Sequence, residues 1–581
     1  MKLSFESKIS WKVILTGLLI FCFSGCHSDN DNHQSQLSGY PIDSDVYTTR
    51  DQTVIADPLP VDSEAIYPYE ISKYAENGYG VWHLEDGIDA GKQVTLMPVG
   101  YTGEAVSHTA SLLNFFTITD IHITDEESPV SGILAGYHGG NSSGYSPVMM
   151  LSTQVLDAAV QTINALHQQK AFDFGMSIGD ATNGAQYNEL RWYIDILDGQ
   201  DINPDSGDKD DPVPGPYNDY QDEFKATGLD HSIPWYQTLG NHDHAWLGTY
   251  PVTDYFRAFY TGTEILLMGD LITADGPENR TDFMGTIDGS TPDGSIIGVG
   301  PVADFTTDGI LTPPTTPADA DRRPLSRKEW MEEFFNTTSN PPGHGFSQDT
   351  IDNDFACYSF EPKPDIPIKV IVLDDTQLFD VATMDEDFDL LENGYISQSR
   401  FNWLIGELNQ GQAEGKLMII SAHIPIAAIG MHPPVAPYSI DRTTLLTKLS
   451  QYPNLILWIS GHRHRNVVTP RPSIDPAYPG EEYGFWEVET ASLRDFPQQF
   501  RTFETVRNSD NTLSIITTNV DPAVKEGSLA EKARSYAVAA DLLFNQANSL
   551  PPSEAYNAEL VKQLSPEMQV KIQSYGTPVG N

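Results

Sequence analysis

The chain has 581 residues, 39% hydrophobic and 10% aromatic, with 45 Gly and 40 Pro spread along its length. That composition excludes a collagen-like or wholly disordered chain and describes a loop-rich globular protein large enough for several domains. With 33 basic against 81 acidic residues and a net charge of −48, a bulk electrostatic grip on nucleic acid or anionic lipid is excluded, so any anionic ligand must be caught locally.

Residues 1–26 read as a targeting segment. Lys2, Lys8 and Lys12 border the apolar run 13–23, which is shorter than the ~20 residues needed to span a bilayer as a helix. Ser24-Gly25-Cys26 then resembles the lipobox of bacterial lipoproteins, with Phe23 in place of the usual leucine. The resemblance implies lipidation of Cys26 and an exported protein held at a membrane by that anchor alone. Cys22, Cys26 and Cys357 are the only cysteines, so no disulfide framework is expected. Residues 27–50 are too polar to recover their ordering entropy by burial and read as a tether. Residues 51–110 read as an N-terminal extension, with a strand predicted over Gln93–Val99.

From Ser111 onward the pattern becomes regular. Strands are predicted at Leu113–Thr119, Phe172–Ile178, Trp235–Leu239, Ile368–Leu373, Leu417–Ser421 and Leu455–Ile459. Between them lie helical patterns at Met149–Gln168, Tyr187–Leu197, Ser399–Leu408 and Thr443–Leu449. Strands alternating with helices define an α/β domain, assigned here to residues 111–520. Within it, residues 245–354 form an insertion too long for a bare loop, read either as a lid or cap over a site or as a plain surface decoration. Strands at Phe485–Glu489, Phe500–Val506 and Leu513–Thr518 lack intervening helices and are expected to complete a second sheet. Residues 521–581 read as a C-terminal extension, helical over Ser528–Gln546 and ending in a polar tail.

The chemistry lies at the strand ends. Asp120 and His122 follow the first strand of the domain, Gly179 and Asp180 the second, and Gly240-Asn241-His242-Asp243 the third. His423 follows the strand ending at Ser421, and Gly461-His462-Arg463-His464 the strand ending at Ile459. Ligands bind at the carboxyl ends of strands in α/β sheets, so these groups are expected to converge on one pocket. The i, i+2 spacing of Asp120 and His122, and of His462 and His464, places each pair on one side of an extended backbone. Imidazole and oxygen donors without thiolate suit divalent Mn, Fe, Zn or Co. Seven donors with one bridging carboxylate fill two sites. Two such ions a few ångströms apart activate water and hold both the attacking and leaving oxygens of a displacement at phosphorus. They also leave the pocket near roughly +1 inside an acidic protein, which attracts phosphate. Arg463, and Arg191 on the helix after Asp180, are candidate phosphate contacts, as is Asn183.

These five motifs, in this order over residues 112–466, resemble the calcineurin-like metallophosphoesterase superfamily. The resemblance implies a four-layer αββα sandwich with long insertions. It implies that Asp120, His122 and His464 hold one metal, that Asn241, His423 and His462 hold the other, and that Asp180 bridges them. His242 would stabilise the transition state or protonate the leaving oxygen, with Asp243 orienting it. Ala181-Thr182-Asn183 replaces the Asp-Arg-Gly of the protein-phosphatase branch, and His122 and Asn183 depart from the purple acid phosphatase pattern. The motifs look more like bacterial phosphodiesterase and nuclease branches. The substrate is therefore a phosphate mono- or diester; the competing reading is a non-catalytic surface lipoprotein that binds metal or phosphate. Gly140–Gly144 has a nucleophile-elbow spacing around Ser142 but no strand before it. Gly411–Lys416 falls short of a phosphate-binding loop, and Asp385–Asp389 lacks the glycine of a calcium loop.

Overall fold

The computed structural model describes residues 42, 46–137, 144–215, 217–252, 254–267, 282–307, 310–311, 314–376, 394–429, 440–544 and 556–579. Cys26, Ser142 and its loop, and Asp385–Asp389 lie outside these residues.

Two mixed sheets organise the protein. In the six-stranded sheet, Ile368–Leu373, Leu417–Ala422, Leu455–Ser460 and Phe485–Glu489 run parallel, flanked by antiparallel Tyr358–Phe360 and Val467–Arg471 at the edges. Every residue of Ile368–Leu373, Leu417–Ala422 and Leu455–Ser460 is buried. Continuous apolar runs are what a parallel sheet covered on both faces requires. Ile368, Val370 and Val372 enter a core shared with the eight-stranded sheet. Ile371, Leu373, Met418 and Ile420 face the other way, onto Leu404 and Leu408 of the helix Gln398–Glu414 and Leu445 and Leu449 of the helix Arg442–Leu449.

The eight-stranded sheet has the order Gly91–Gln93, Asn557–Lys562, Leu513–Val520, Phe500–Asn508, His108–Ile118, Phe174–Ser177, Trp235–Gln237, with Thr577–Pro578 also on His108–Ile118. His108–Ile118, Phe174–Ser177 and Trp235–Gln237 are parallel. Phe115 stacks between Phe174 and Phe503, at 4.7 and 4.9 Å between ring centroids, so one aromatic ladder ties three strands together. The helices Ser152–Gln169 and Leu529–Leu543 send Val155, Leu156, Ala159, Ile163, Ala533 and Ala537 into the shared core. Helix ends follow local chemistry. Gln186 and Glu189 form a capping box on Tyr187–Asp198, and Gly199, at φ 69°, ends that helix in the left-handed conformation.

The structure corrects the sequence reading in several places. Phe485–Glu489 joins the parallel sheet, not the second one; the added strand Val467–Arg471 lets the chain cross and return parallel without a helix. Helix Gln398–Glu414 runs past Leu408 because its solvent face tolerates polar residues, and it stops at Gly415. Gly411 and Glu414 are therefore helical and no phosphate loop forms there. Of Gln93–Val99 only the strand Gly91–Gln93 exists, since turns closed by Met97 N to Val94 O and Tyr101 N to Pro98 O follow it. Among its described residues, the segment 245–354 contains the hairpin Asp282–Asp288/Ser295–Pro301 and the helices Asp254–Tyr260, Arg327–Glu333 and Gln348–Asp352.

The flanking segments are not appendages. Gly91–Gln93 and Asn557–Lys562 pair with each other in the eight-stranded sheet, so the boundaries drawn at 110 and 520 cut through one hydrogen-bonded layer. A polar tail would tolerate Leu560→Ala. Leu560 is fully buried, so the substitution is expected to cost about 2–5 kcal/mol, read as a lowered denaturant midpoint. An unchanged midpoint contradicts its place in the core.

Candidate metal centre

The parallel ladders continue past the strand ends and hold the ligand loops. Asp120 N–H donates to Gly179 O at 3.1 Å, His122 N–H to Asp180 O at 3.0 Å, and Gly461 N–H to His423 O at 3.0 Å. In these loops Asp120, His122, Asp180, His462 and His464 all take left-handed backbone angles, φ 51°, 49°, 52°, 70° and 52°. The i, i+2 pairs thus converge through left-handed turns, not along the extended backbone expected from spacing. Asp and His tolerate this region better than most side chains, but such positions still store strain of about 1–3 kcal/mol each. Two glycines make the approach possible. A Cβ on Gly240 would lie 2.1 Å from Asp180 N, and one on Gly461 would lie 2.1 Å from Thr119 Oγ1.

Seven side chains meet here. Asp120, His122 and His464 bring ligand atoms together within 4.8 Å, as do Asp180, His423 and His462. Asn241 Oδ1 lies 2.9 Å from His423 Nε2 and 3.2 Å from His462 Nδ1. Asp180 Oδ2 stands between the groups, 3.2 Å from His423 Nε2 and 3.8 Å from His122 Nε2. His242 joins Asp180 and His122 in a third cluster, its ring edge-on to His122 at 4.4 Å.

The orientation of each donor tests whether cations fit. His423 Nδ1 donates to Ile178 O at 2.8 Å, which turns Nε2 toward Asn241 Oδ1 and Asp180 Oδ2. The Asn241 amide nitrogen donates to Gly248 O at 3.2 Å, so its oxygen is the inward atom. His464 Nδ1 donates to Asp495 Oδ2 at 2.6 Å, which turns Nε2 toward Asp120 Oδ1 at 3.3 Å and His122 Nε2 at 3.2 Å. Lone pairs thus face lone pairs at both groups. Only added positive charge, as protons or as divalent cations, reconciles them, and the buried His/Asp clusters are consistent with a dimetal site.

Electrostatics follow from that crowding. Burial opposes charge on His423, but Asp180 outweighs it and the imidazole is pushed up to about 10. His464, opposed by burial and favoured by Asp120 and Asp495, also rises to about 10. Burial, then His242, holds His122 well below the usual range. Burial likewise resists ionisation of Asp180, yet His423 and His242 keep its carboxyl well below normal.

Four candidates from the sequence are placed differently from expectation. Asp243 does not orient the His242 ring; its carboxylate accepts the N–H groups of Asp180, Gly240 and Thr182 at 3.0, 2.8 and 3.1 Å, fixing the ligand loops. The ring of His242 is held by Asn183, whose carbonyl oxygen accepts from Nδ1 at 2.9 Å. Asn183 Oδ1 in turn accepts from Arg494 Nη1 at 3.2 Å, so that side chain is engaged by the protein. Arg463 pairs with Glu489 through Nε and Nη2, at 2.9 and 2.7 Å. Arg191 is bound by Asp195, Glu333 and the Asn336 carbonyl, which ties helices together and leaves it no part in the centre. Asp495 and the buried Arg494, both on the turn between Phe485–Glu489 and Phe500–Asn508, complete the surroundings of His464 and Asn183 and were not among the sequence candidates.

No family model and no curated protein matches the chain. Among solved structures, similarity is found to a dimetal phosphatase from Danio rerio, at 12% identity over 71% of this chain and 100% of that one, with a TM-score of 0.36. It is also found to the calcineurin-like phosphoesterase YfkN from Bacillus subtilis, at 12% identity over 76% of this chain and 97% of that one, with a TM-score of 0.22.

Two measurements probe the centre. Asp495→Asn is expected to weaken metal affinity about 10–100-fold by releasing His464, scored by competition with a chromogenic chelator; unchanged affinity removes Asp495 from the site. Because His423 and His464 have raised folded-state values, the stability they give the metal-free protein is full below about 6.5 and is lost as pH rises toward about 10. Metal uptake at pH 7.5 is therefore expected to release about two protons. Calorimetry in buffers of different ionisation enthalpy counts them, and no release would contradict the assignment.

Proposed function

We propose that the protein is a dinuclear metal phosphoesterase that hydrolyses a phosphate mono- or diester outside the cytoplasm. On this reading the two sheets and their helices form a four-layer αββα sandwich of the metallophosphoesterase type. One observation carries the proposal: imidazole nitrogens and amide and carboxylate oxygens from five strand ends aim at one another in a buried pocket.

Asp120, His122 and His464 would hold one divalent ion, and Asn241, His423 and His462 the other, with Asp180 shared. When bound, the ions supply Lewis acidity at a phosphoryl oxygen and activate water at neutral pH. The chain's own contribution is positional. Asp495 and Ile178 O select the imidazole nitrogens turned inward, and Asp243 fixes the backbone under Asp180 and Asn241.

His242 has a narrower role than its sequence position implies. Nδ1 is committed to Asn183 O, and burial, the largest influence, lowers the imidazole's proton affinity. Nε2 therefore carries a lone pair in the resting protein. The negative phosphoryl group of a bound mono- or diester beside it favours uptake of a proton from solvent at Nε2, and the imidazolium then gives that proton to the departing alkoxide. Export outside the cytoplasm is inferred from residues 1–26 and from the lipidation expected at Cys26.

The experiment uses protein stripped with chelator and reloaded with Mn, Fe, Zn or Co. Hydrolysis of p-nitrophenyl phosphate or its bis-ester is expected to return with metal and to fall to background in Asp180→Asn. His242→Ala is expected to lose about 10²–10⁴-fold on alkyl esters and far less on nitrophenyl esters, whose leaving group needs no proton. Metal binding without turnover of any ester would leave a binding protein and defeat the proposal.

A further inference from the structure

The loop between Asp201–Ile202 and Phe224–Lys225 gathers carboxylates that play no part in the candidate dimetal centre. Asp211, Asp219 and Asp222 each bring one oxygen within 4.8 Å of the other two. This is not a solvated acidic face, for Asp219 and Asp222 are 0% and 1% exposed. Main-chain donors aim them. Asp219 accepts Gln221 N–H at 3.0 Å and Val213 N–H at 3.1 Å. Val213 N–H also reaches Asp211 Oδ1 at 2.9 Å. Asp222 Oδ2 accepts the N–H groups of Asn218 and Asp219. Its other oxygen, Oδ1, is buried and has no hydrogen-bond partner among the described residues.

Three like charges held this close, two of them out of water, need compensation. Among the described residues no basic side chain forms an ion pair with any of the three; Lys532 is near enough for Asp219 to influence it electrostatically, but it brings a single charge. A neighbouring acidic cluster, Glu127, Asp205 and Asp210, is compensated differently, because Arg322 lies 3.9 Å from Glu127.

We propose that Asp211, Asp219 and Asp222 bind a hard divalent cation of the calcium class. The donors are all oxygen, with no imidazole or thiolate, which favours calcium over the ions suited to the His-rich centre. Calcium tolerates irregular, many-oxygen shells, and the three carboxylates, aimed by main-chain N–H groups, are the oxygen donors offered to it. The site braces the insertion: Tyr220, between the two buried carboxylates, donates its hydroxyl to Thr291 O at 2.9 Å, at the tip of the hairpin Asp282–Asp288/Ser295–Pro301.

The test is calorimetric and thermal titration of the full chain with calcium chloride after EGTA treatment. Wild type is expected to bind calcium saturably and gain about 3 °C or more in thermal midpoint. His423→Ala, which disables the other centre, is expected to keep that gain. Asp219→Asn/Asp222→Asn is expected to lose it while remaining at least as stable as wild type in EGTA, because the amides remove repulsion. Asp211→Asn, a milder change at a partly exposed position, is expected to weaken calcium binding at least tenfold. The proposal is overturned if wild type shows no calcium response, if the response survives both sets of substitutions, or if Asp205→Asn/Asp210→Asn abolishes it instead.

Discussion

The architecture turns on Asp180 Oδ2, a buried carboxylate oxygen 3.2 Å from one imidazole and 3.8 Å from another, with each imidazole belonging to a different ligand group. Its partner oxygen accepts His242 N–H at 2.9 Å, so the side chain has no freedom to turn away. Everything around it serves to bring acceptors close without letting them relax. Gly179 and Gly240 let the neighbouring loops approach, Asp243 ties those loops together, and left-handed turns deliver the ligands on either side. A cluster of this kind is costly in isolation and stable once cations occupy it.

The two sheets explain how such distant segments reach one oxygen. Donors up to Asn241 sit at the ends of strands in the eight-stranded sheet, and His423, His462 and His464 at the ends of strands in the six-stranded sheet. The shared core that packs Phe115, Phe174 and Phe503 near Val370, Val372 and Ile419 holds the two sets of strand ends in register. Packing and chemistry are therefore coupled: loosening that core separates the ligand groups.

Much of this was legible in the chain, for identifiable reasons. Ile368–Leu373 and Phe485–Glu489 are rich in β-branched, aromatic and other apolar residues, broken only by Lys369, Glu487 and Glu489, so their limits could be read directly. The seven donors stood out because each follows such a run. What escaped notice depends on contacts between remote segments. Nothing local in Asn557–Lys562 marks a strand, because its partner strands begin at residues 91 and 513. Arg463 looked available because its acidic partner, Glu489, lies 26 residues away; Arg191 has a local partner in Asp195, but the contacts that tie it to another helix, at Glu333 and Asn336, lie 142 and 145 residues away. Asp495 was visible only as one polar residue among several until His464 was seen to need an acceptor for Nδ1. The left-handed backbone at the five ligands has no one-dimensional signal beyond the Asp and His residues themselves.

The interleaving of donors across both sheets also orders events during synthesis. A growing chain that has emerged as far as Ser460 already carries five of the seven donors, yet it lacks His462, His464 and the carboxylate that aims the latter. Until those last turns arrive, neither group is complete, and an ion met early finds only an open half-cage. Assembly of both donor groups is thereby deferred until the chain has passed His464 and, for the aim of that imidazole, Asp495.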